Sequence, residues 1–172
     1  TGGNFENLVI DPAAAATSIT DTIDVTSVSL TASASVAEGG SITYTASLSS
    51  PAATVLTVNL SNGATINIAA GTSTGSVTVS APTDDVYLDA GSVSATITST
   101  AGGDFEDLSV SSTPAFTSVT DTIDTVIVSL TGDGSIAEGA SGSYTVSLTH
   151  PAQTDVTVTL SYSGTATSGT DY

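Results

Sequence analysis

The sequence predicts an all-β chain made of tandem immunoglobulin-like β-sandwich repeats of about 100 residues. Three observations predict it. Apolar residues alternate with Ser and Thr at a period of two, turn residues punctuate these runs at short intervals, and the chain repeats itself at an offset of 100 positions. A period of two puts one side of a strand in a core and the other in water. Short strands of this kind, seven or so to a repeat and separated by regular turns, are the pattern of an immunoglobulin-like sandwich.

The repeat sets the boundaries. Residues 1–24, TGGNFENLVIDPAAAATSITDTID, return at 101–124 as AGGDFEDLSVSSTPAFTSVTDTID. The stretch VSLTASASVAEGGSITYTASLSSPA from Val28 returns from Val128 as VSLTGDGSIAEGASGSYTVSLTHPA. One complete unit is therefore expected over 25–124, with the C-terminal strand region of a preceding repeat at 1–24 and the N-terminal part of the next at 125–172. Strands are expected at 26–34, 41–49, 54–61, 64–69, 74–80, 92–99 and 105–119. Ile42, Tyr44, Ala46 and Leu48 set the phase of the second, and Leu56, Val58 and Leu60 that of the third. Val77 and Val79 mark the fifth; Val93, Ala95 and Ile97 mark the sixth. Asn62-Gly63 between two runs predicts a type I′ hairpin turn. Ala13–Ala16 follows a proline and is too short to stand alone as a helix.

Charge narrows the function. The 172 residues contain 17 Asp and Glu, no Lys and no Arg, and a single histidine, His150. Nothing can neutralise phosphates, so neither nucleic acid nor an anionic membrane surface is an expected partner. No apolar run is long enough to span a bilayer, and no basic segment precedes an apolar stretch as in a secretory leader. Cysteine is absent, which removes disulfides and thiol chemistry. Only 10% of residues are charged and 39% are hydrophobic, so the chain is expected to fold with acidic loops.

Strands running up and down bring particular loops to one pole. Glu38 lies in the loop after the first strand; Asp84, Asp85 and Asp89 lie between the fifth and sixth; Asp121 and Asp124 lie at the exit. No basic side chain accompanies these six carboxylates, so the missing positive charge is expected from solution. Calcium takes six to eight oxygens from carboxylates, carbonyls and water, and such loops supply them. Zinc or copper would want His or Cys. The opposite pole gathers Asp104, Glu106 and Asp107 in GGDFED beside the entering Asp21 and Asp24; the earlier copy has Asn4, Glu6 and Asn7. Turn formation and solubility are the competing explanation for acidic loops. It accounts poorly for adjacent Asp84 and Asp85, and for GGDFED both readings stay open.

The segments VAEGGSITYTASLS, TDDVYLDAGSVSATI, GGNFENL and TDTID resemble the extender regions of large RTX biofilm adhesins, long type I-secreted proteins of bacterial surfaces. EGG, DDVYLDAG and the C-terminal SGTDY also resemble Calx-β calcium-binding domains. The resemblance implies an extracellular, calcium-stabilised spacer that holds a distal adhesive domain away from the cell. Its partners would be neighbouring repeats rather than a small-molecule substrate. It implies Glu38, Asp84, Asp85, Asp121 and Asp124 as ligands, with Glu138 and Asp171 in the third unit. The complete unit has AAGTS where a Calx-β domain would have the SGTDY aspartate, which leaves the number of ions per domain open. A module recognising a glycan or another surface, and a filament subunit completed by strand exchange, are the alternatives.

No enzyme is expected. His150 stands near Asp155, but Ser50 occupies its place in the other copy, and no third group orients it. Paired carboxylates could hydrolyse glycosides in an aromatic cleft, yet the chain has three Phe, five Tyr and no Trp. Tyr44 and Tyr144 are in phase with the inward face, so they are expected in the core. The sequon Asn59-Leu60-Ser61 lies within an expected strand.

Overall fold

Period-two alternation becomes strand throughout the central part of the chain. A computed structural model describes residues 2–166, with twelve strands and no helix among them. The strands are β1 (Val25–Ala32), β2 (Ser35–Ala37), β3 (Ser41–Leu48), β4 (Leu56–Leu60), β5 (Thr65–Ile68), β6 (Thr74–Ser80), β7 (Gly91–Ala95), β8 (Ile97–Gly102), β9 (Asp107–Val110), β10 (Ala115–Thr120), β11 (Val128–Gly132) and β12 (Tyr144–Leu148).

One layer has the order β6-β3-β1-β9; β5-β4-β8 and β2-β10-β7 form the facing layer, β7 and β8 being one run broken at Thr96. The inward residues Val28, Leu30, Ile42, Tyr44 and Leu48 meet Leu56, Val58, Ile66, Ile68 and Ile97 in one core. Tyr44 is the largest fully buried side chain, at 1% exposure. Each such apolar side chain contributes about 1.5–3 kcal/mol by leaving water. The outward positions of β1 and β3 carry hydroxyls instead, and Ser29 and Thr31 donate to the carbonyls of Ser47 and Thr45 across the pair.

One expected strand ends early and two divide. The 26–34 run ends at Ala32 as β1 because the chain changes layer at Ser33–Ala34: β1 pairs with β3, whereas β2, beyond the expected run, lies parallel to β10. The 105–119 run becomes β9 and β10, interrupted by Pro114, which has no N–H for a ladder. The 92–99 run is irregular where β8 meets a register shift between Asn59 and Leu60. Two parallel pairs, β1 with β9 and β2 with β10, replace a purely up-and-down order.

The turn at Asn62-Gly63 is also corrected. Only Gly63 has a positive φ, of 83°, and its N–H donates to the Leu60 carbonyl. That is a three-residue loop with glycine in the left-handed position, not type I′, which needs two such residues.

Residues 2–24 contain no strand. Their counterparts 105–119 become β9 and β10 by pairing with β1, β2 and β7, and residues 2–24 meet no such partner among the described residues. In 125–166 the β11–β12 hairpin repeats the register of β1–β3, Val128 opposite Leu148 as Val28 is opposite Leu48. Its apolar face is open: Tyr144 is 59% exposed, so it does not take the core position that the sequence assigns it.

Candidate metal centre

Glu38 enters the pole on a turn held from two sides. Its own N–H donates to the Thr120 carbonyl at 3.0 Å, which ties the turn to the end of β10. The N–H of Gly39 donates to Pro82 O at 2.7 Å, and Ala81 N donates to Gly40 O at 3.0 Å. The turn is thus laced to the loop that leaves β6. The same pole receives that loop, residues 81–90, and the exit after β10, as the strand order predicts.

Three carboxylates meet there. Ligand atoms of Glu38, Asp89 and Asp121 all lie within 4.8 Å of one another. Glu38 is only 7% exposed, Asp121 half-buried and Asp89 exposed. Glu38 Oε2 and Asp121 Oδ1 are both buried without a hydrogen-bond partner. An acceptor so placed is costly unless something positive reaches it. The acidity of Glu38 reports the same conflict. A hydrogen bond with Asp89, then burial, then the charges of Asp89, Asp121 and Asp85 together raise its pKa from 4.5 to about 7. A proton between two carboxylates is one remedy for this crowding; a divalent cation is the other. Oxygen donors alone, from three separate segments, suit a hard cation of flexible geometry such as calcium.

The other expected ligands stand elsewhere. Asp84 accepts a hydrogen bond from the Thr122 hydroxyl. Asp85 accepts from the N–H of Tyr87 at 2.8 Å. Both line a cleft of about 440 Å³ with Asp124, Thr125, Val86, Tyr87 and His150, on the side where the chain runs into its next unit. At the opposite pole, Glu106 accepts from the Asp24 N–H at 2.6 Å, and Asp21 from the Thr22 N–H at 3.1 Å. Asp107 pairs with Val25 in the parallel ladder, and Asp104 takes a left-handed φ of 56°. Among the described residues these carboxylates form no second group of three. Glu138 is exposed, and Asp171 lies outside the described residues. Tyr87, which the sequence reading passed over, donates its hydroxyl to the carbonyl of Pro151 at 2.7 Å. Its signal was an aromatic residue between two aspartates in a loop otherwise suited to solvent.

The LapA domain family model matches residues 24–122 and again 124–169. The chain belongs to the LapA domain family. Both matches begin at an aspartate of the DTID segments, Asp24 and Asp124, one repeat apart. The LapA domain is a domain of biofilm adhesins, which gives the chain an adhesin-related role in surface attachment at the cell surface. No curated protein matches the chain. Among the described residues of this LapA domain chain, no helix is long and apolar enough to cross a membrane.

Proposed function

We propose that this chain is a calcium-stabilised spacer of a large, type I-secreted surface adhesin, its sandwich repeats stacked end to end to hold an adhesive domain away from the cell. The observation that carries the reading is the Glu38, Asp89 and Asp121 cluster, with two buried unpartnered oxygens, at the pole from which the chain leaves for its next unit. Those three residues would hold the ion, which would supply the positive charge that the sequence lacks altogether. It would fasten the turn after β2, the 81–90 loop and the exit of β10 to one another, so the end of each unit becomes stiff. Membership of the LapA domain family supports the adhesive setting, and the recurrence of the linker at a fixed offset supports a spacer, which needs the same joint every time.

Calorimetric titration with calcium, and separately with magnesium, tests the reading. Calcium is expected to bind saturably and to raise the melting temperature. Magnesium is expected to bind more weakly, because it demands near-ideal octahedral geometry and dehydrates reluctantly. Absence of calcium heat up to millimolar concentration, with an unchanged melting temperature in chelator, would remove the ion from the account.

A further inference from the structure

We propose that Tyr87 is the positioning residue that carries cation occupancy at the pole to the orientation of the following unit. The inference rests on the cation reading above and adds to it the part that transmits. Tyr87 lies in the 81–90 loop, whose beginning is laced to the Glu38 turn through Pro82 O and Ala81 N. Asp84 joins the same loop to the exit segment through the Thr122 hydroxyl. Asp89, two residues beyond Tyr87, belongs to the three-carboxylate cluster. Between these anchors, Asp85 accepts the Tyr87 N–H and closes a local turn, which sets the direction of the side chain. The neighbouring Leu88 is 89% exposed, whereas Tyr87 is half-buried. Its ring lines the cleft between the loop, linker residues Asp124 and Thr125, and His150. Its hydroxyl reaches Pro151 O, 64 residues further on and beyond β12, at 2.7 Å.

The loop is therefore held by Asp89 at one end of its second half, and it holds the next unit through Tyr87. With the cluster unneutralised, the mutual repulsion of Asp89, Glu38 and Asp121 loosens the Asp89 anchor. The hydroxyl then keeps its contact with Pro151 less often. A cation draws Asp89 in, fixes both ends of the loop and restores the contact. A bond from a tyrosine hydroxyl to a carbonyl changes a docked-to-undocked ratio by roughly fivefold, enough to narrow or broaden the distribution of angles between units.

The chain has no cysteine, so two introduced thiols report on it without interference. Spin labels at Ser76→Cys in β6 and Ser147→Cys in β12, both exposed, give the distance distribution between the units by double electron–electron resonance. The labelled 172-residue chain is compared with its Tyr87→Phe and Asp89→Asn variants, in saturating calcium and in chelator. The expected result is a distribution that narrows in calcium for the parent and stays broad in both conditions for Tyr87→Phe. Calorimetry should show that Tyr87→Phe keeps calcium affinity within about twofold, since it removes no ligand atom. Asp89→Asn should be broad in both conditions and bind calcium poorly. A narrow calcium distribution in Tyr87→Phe overturns the proposal. So does a parent that binds calcium without narrowing, although the cation reading then survives. A parent that binds no calcium overturns both, and only in that case is the cation reading at fault.

Discussion

Glu38→Gln separates the two roles of this side chain, because it acts in opposite directions with and without the ion. The replacement keeps the size and one carbonyl oxygen, removes the charge, and adds an amide that can donate to Asp89 as the protonated acid does. Without calcium the amide relieves the crowding that pushes the Glu38 pKa up to about 7. The metal-free variant at pH 8 should therefore melt no lower than the metal-free parent. With calcium the variant offers two anionic donors where the parent offers three within 4.8 Å. Extracellular calcium modules have dissociation constants of about 10⁻⁴–10⁻³ M. At about 10 mM calcium, mass action then contributes about 1.4–2.7 kcal/mol to the parent. For a unit of this size that is a rise of roughly 6–20 °C in melting temperature. Loss of one carboxylate, taken as a tenfold weakening, removes up to about 1.4 kcal/mol, so the calcium-induced rise should fall to about half or less. Differential scanning calorimetry of both proteins, each in chelator and in calcium, measures all four quantities. Equal calcium-induced rises in the two proteins would refute the placement of Glu38 as a ligand. A metal-free variant that melts well below the metal-free parent would refute the crowding argument.

The raised Glu38 pKa also fixes the sign of a pH effect. A carboxyl whose folded value is about 7 against an ordinary 4.5 binds its proton more tightly when folded. Its contribution to stability is fully present below 4.5 and is lost as pH rises through 7. Thermal melts in chelator should therefore move upward as pH is lowered from 8 to 5, and Glu38→Gln should remove that part of the slope; a flat profile in the parent would contradict it. A second test concerns the close approach at the end of β8. Gly102 has φ +87°, and a Cβ there would lie 2.3 Å from the Val55 carbonyl oxygen; Gly71, at φ +77°, has open space around its own. Gly71→Ala should cost about 1–2 kcal/mol in urea unfolding for the left-handed backbone alone. Gly102→Ala should cost at least 1 kcal/mol or so beyond that. Equal losses would mean that the Val55 segment yields freely.

Fold class was legible because the buried positions alternate so cleanly. Ile42, Tyr44, Ala46 and Leu48 announce the inward face of β3 in a single run, and all four are buried. The sites where the chain breaks its strands were less legible, for a reason that differs from one to the next. Pro114 carries its own signal, since it cannot donate to a ladder. Ser33 and Ala34 carry none: the change of layer there is set by partners far along the chain. Ser33 N donates to Thr43 O, and Ser118 N donates to Ala34 O. Residues 2–24 make the same point in reverse. Residues 7–20, the counterparts of 107–120 at the repeat offset, form no strand and stay exposed where no neighbouring strand supplies hydrogen bonds.

The candidate site shows how far local sequence can go. Its pole, and a set of six carboxylates containing the three that the fold brings together, followed from strand order. The choice among the six did not, because it depends on which of them already has a donor. The Tyr87 N–H takes Asp85 and the Thr122 hydroxyl takes Asp84, so the conspicuous adjacent pair is partly satisfied without an ion. Glu38 and Asp121 keep buried oxygens with no partner, and Asp89 faces Glu38. The Glu138 turn is a control within the same chain. Gly139 has φ 78° against 68° for Gly39, and Ala140 N donates to Ala137 O at 3.0 Å as Gly40 N does to Ala37 O at 3.1 Å. The local turn is the same, yet Glu138 is exposed and Glu38 is buried. What differs is the company: Thr120 O and Pro82 O grip the first turn, and no described residue grips the second in that way. The buried, unpartnered carboxylate at Glu38 therefore arises from tertiary pairing around the turn, not from the turn's own sequence.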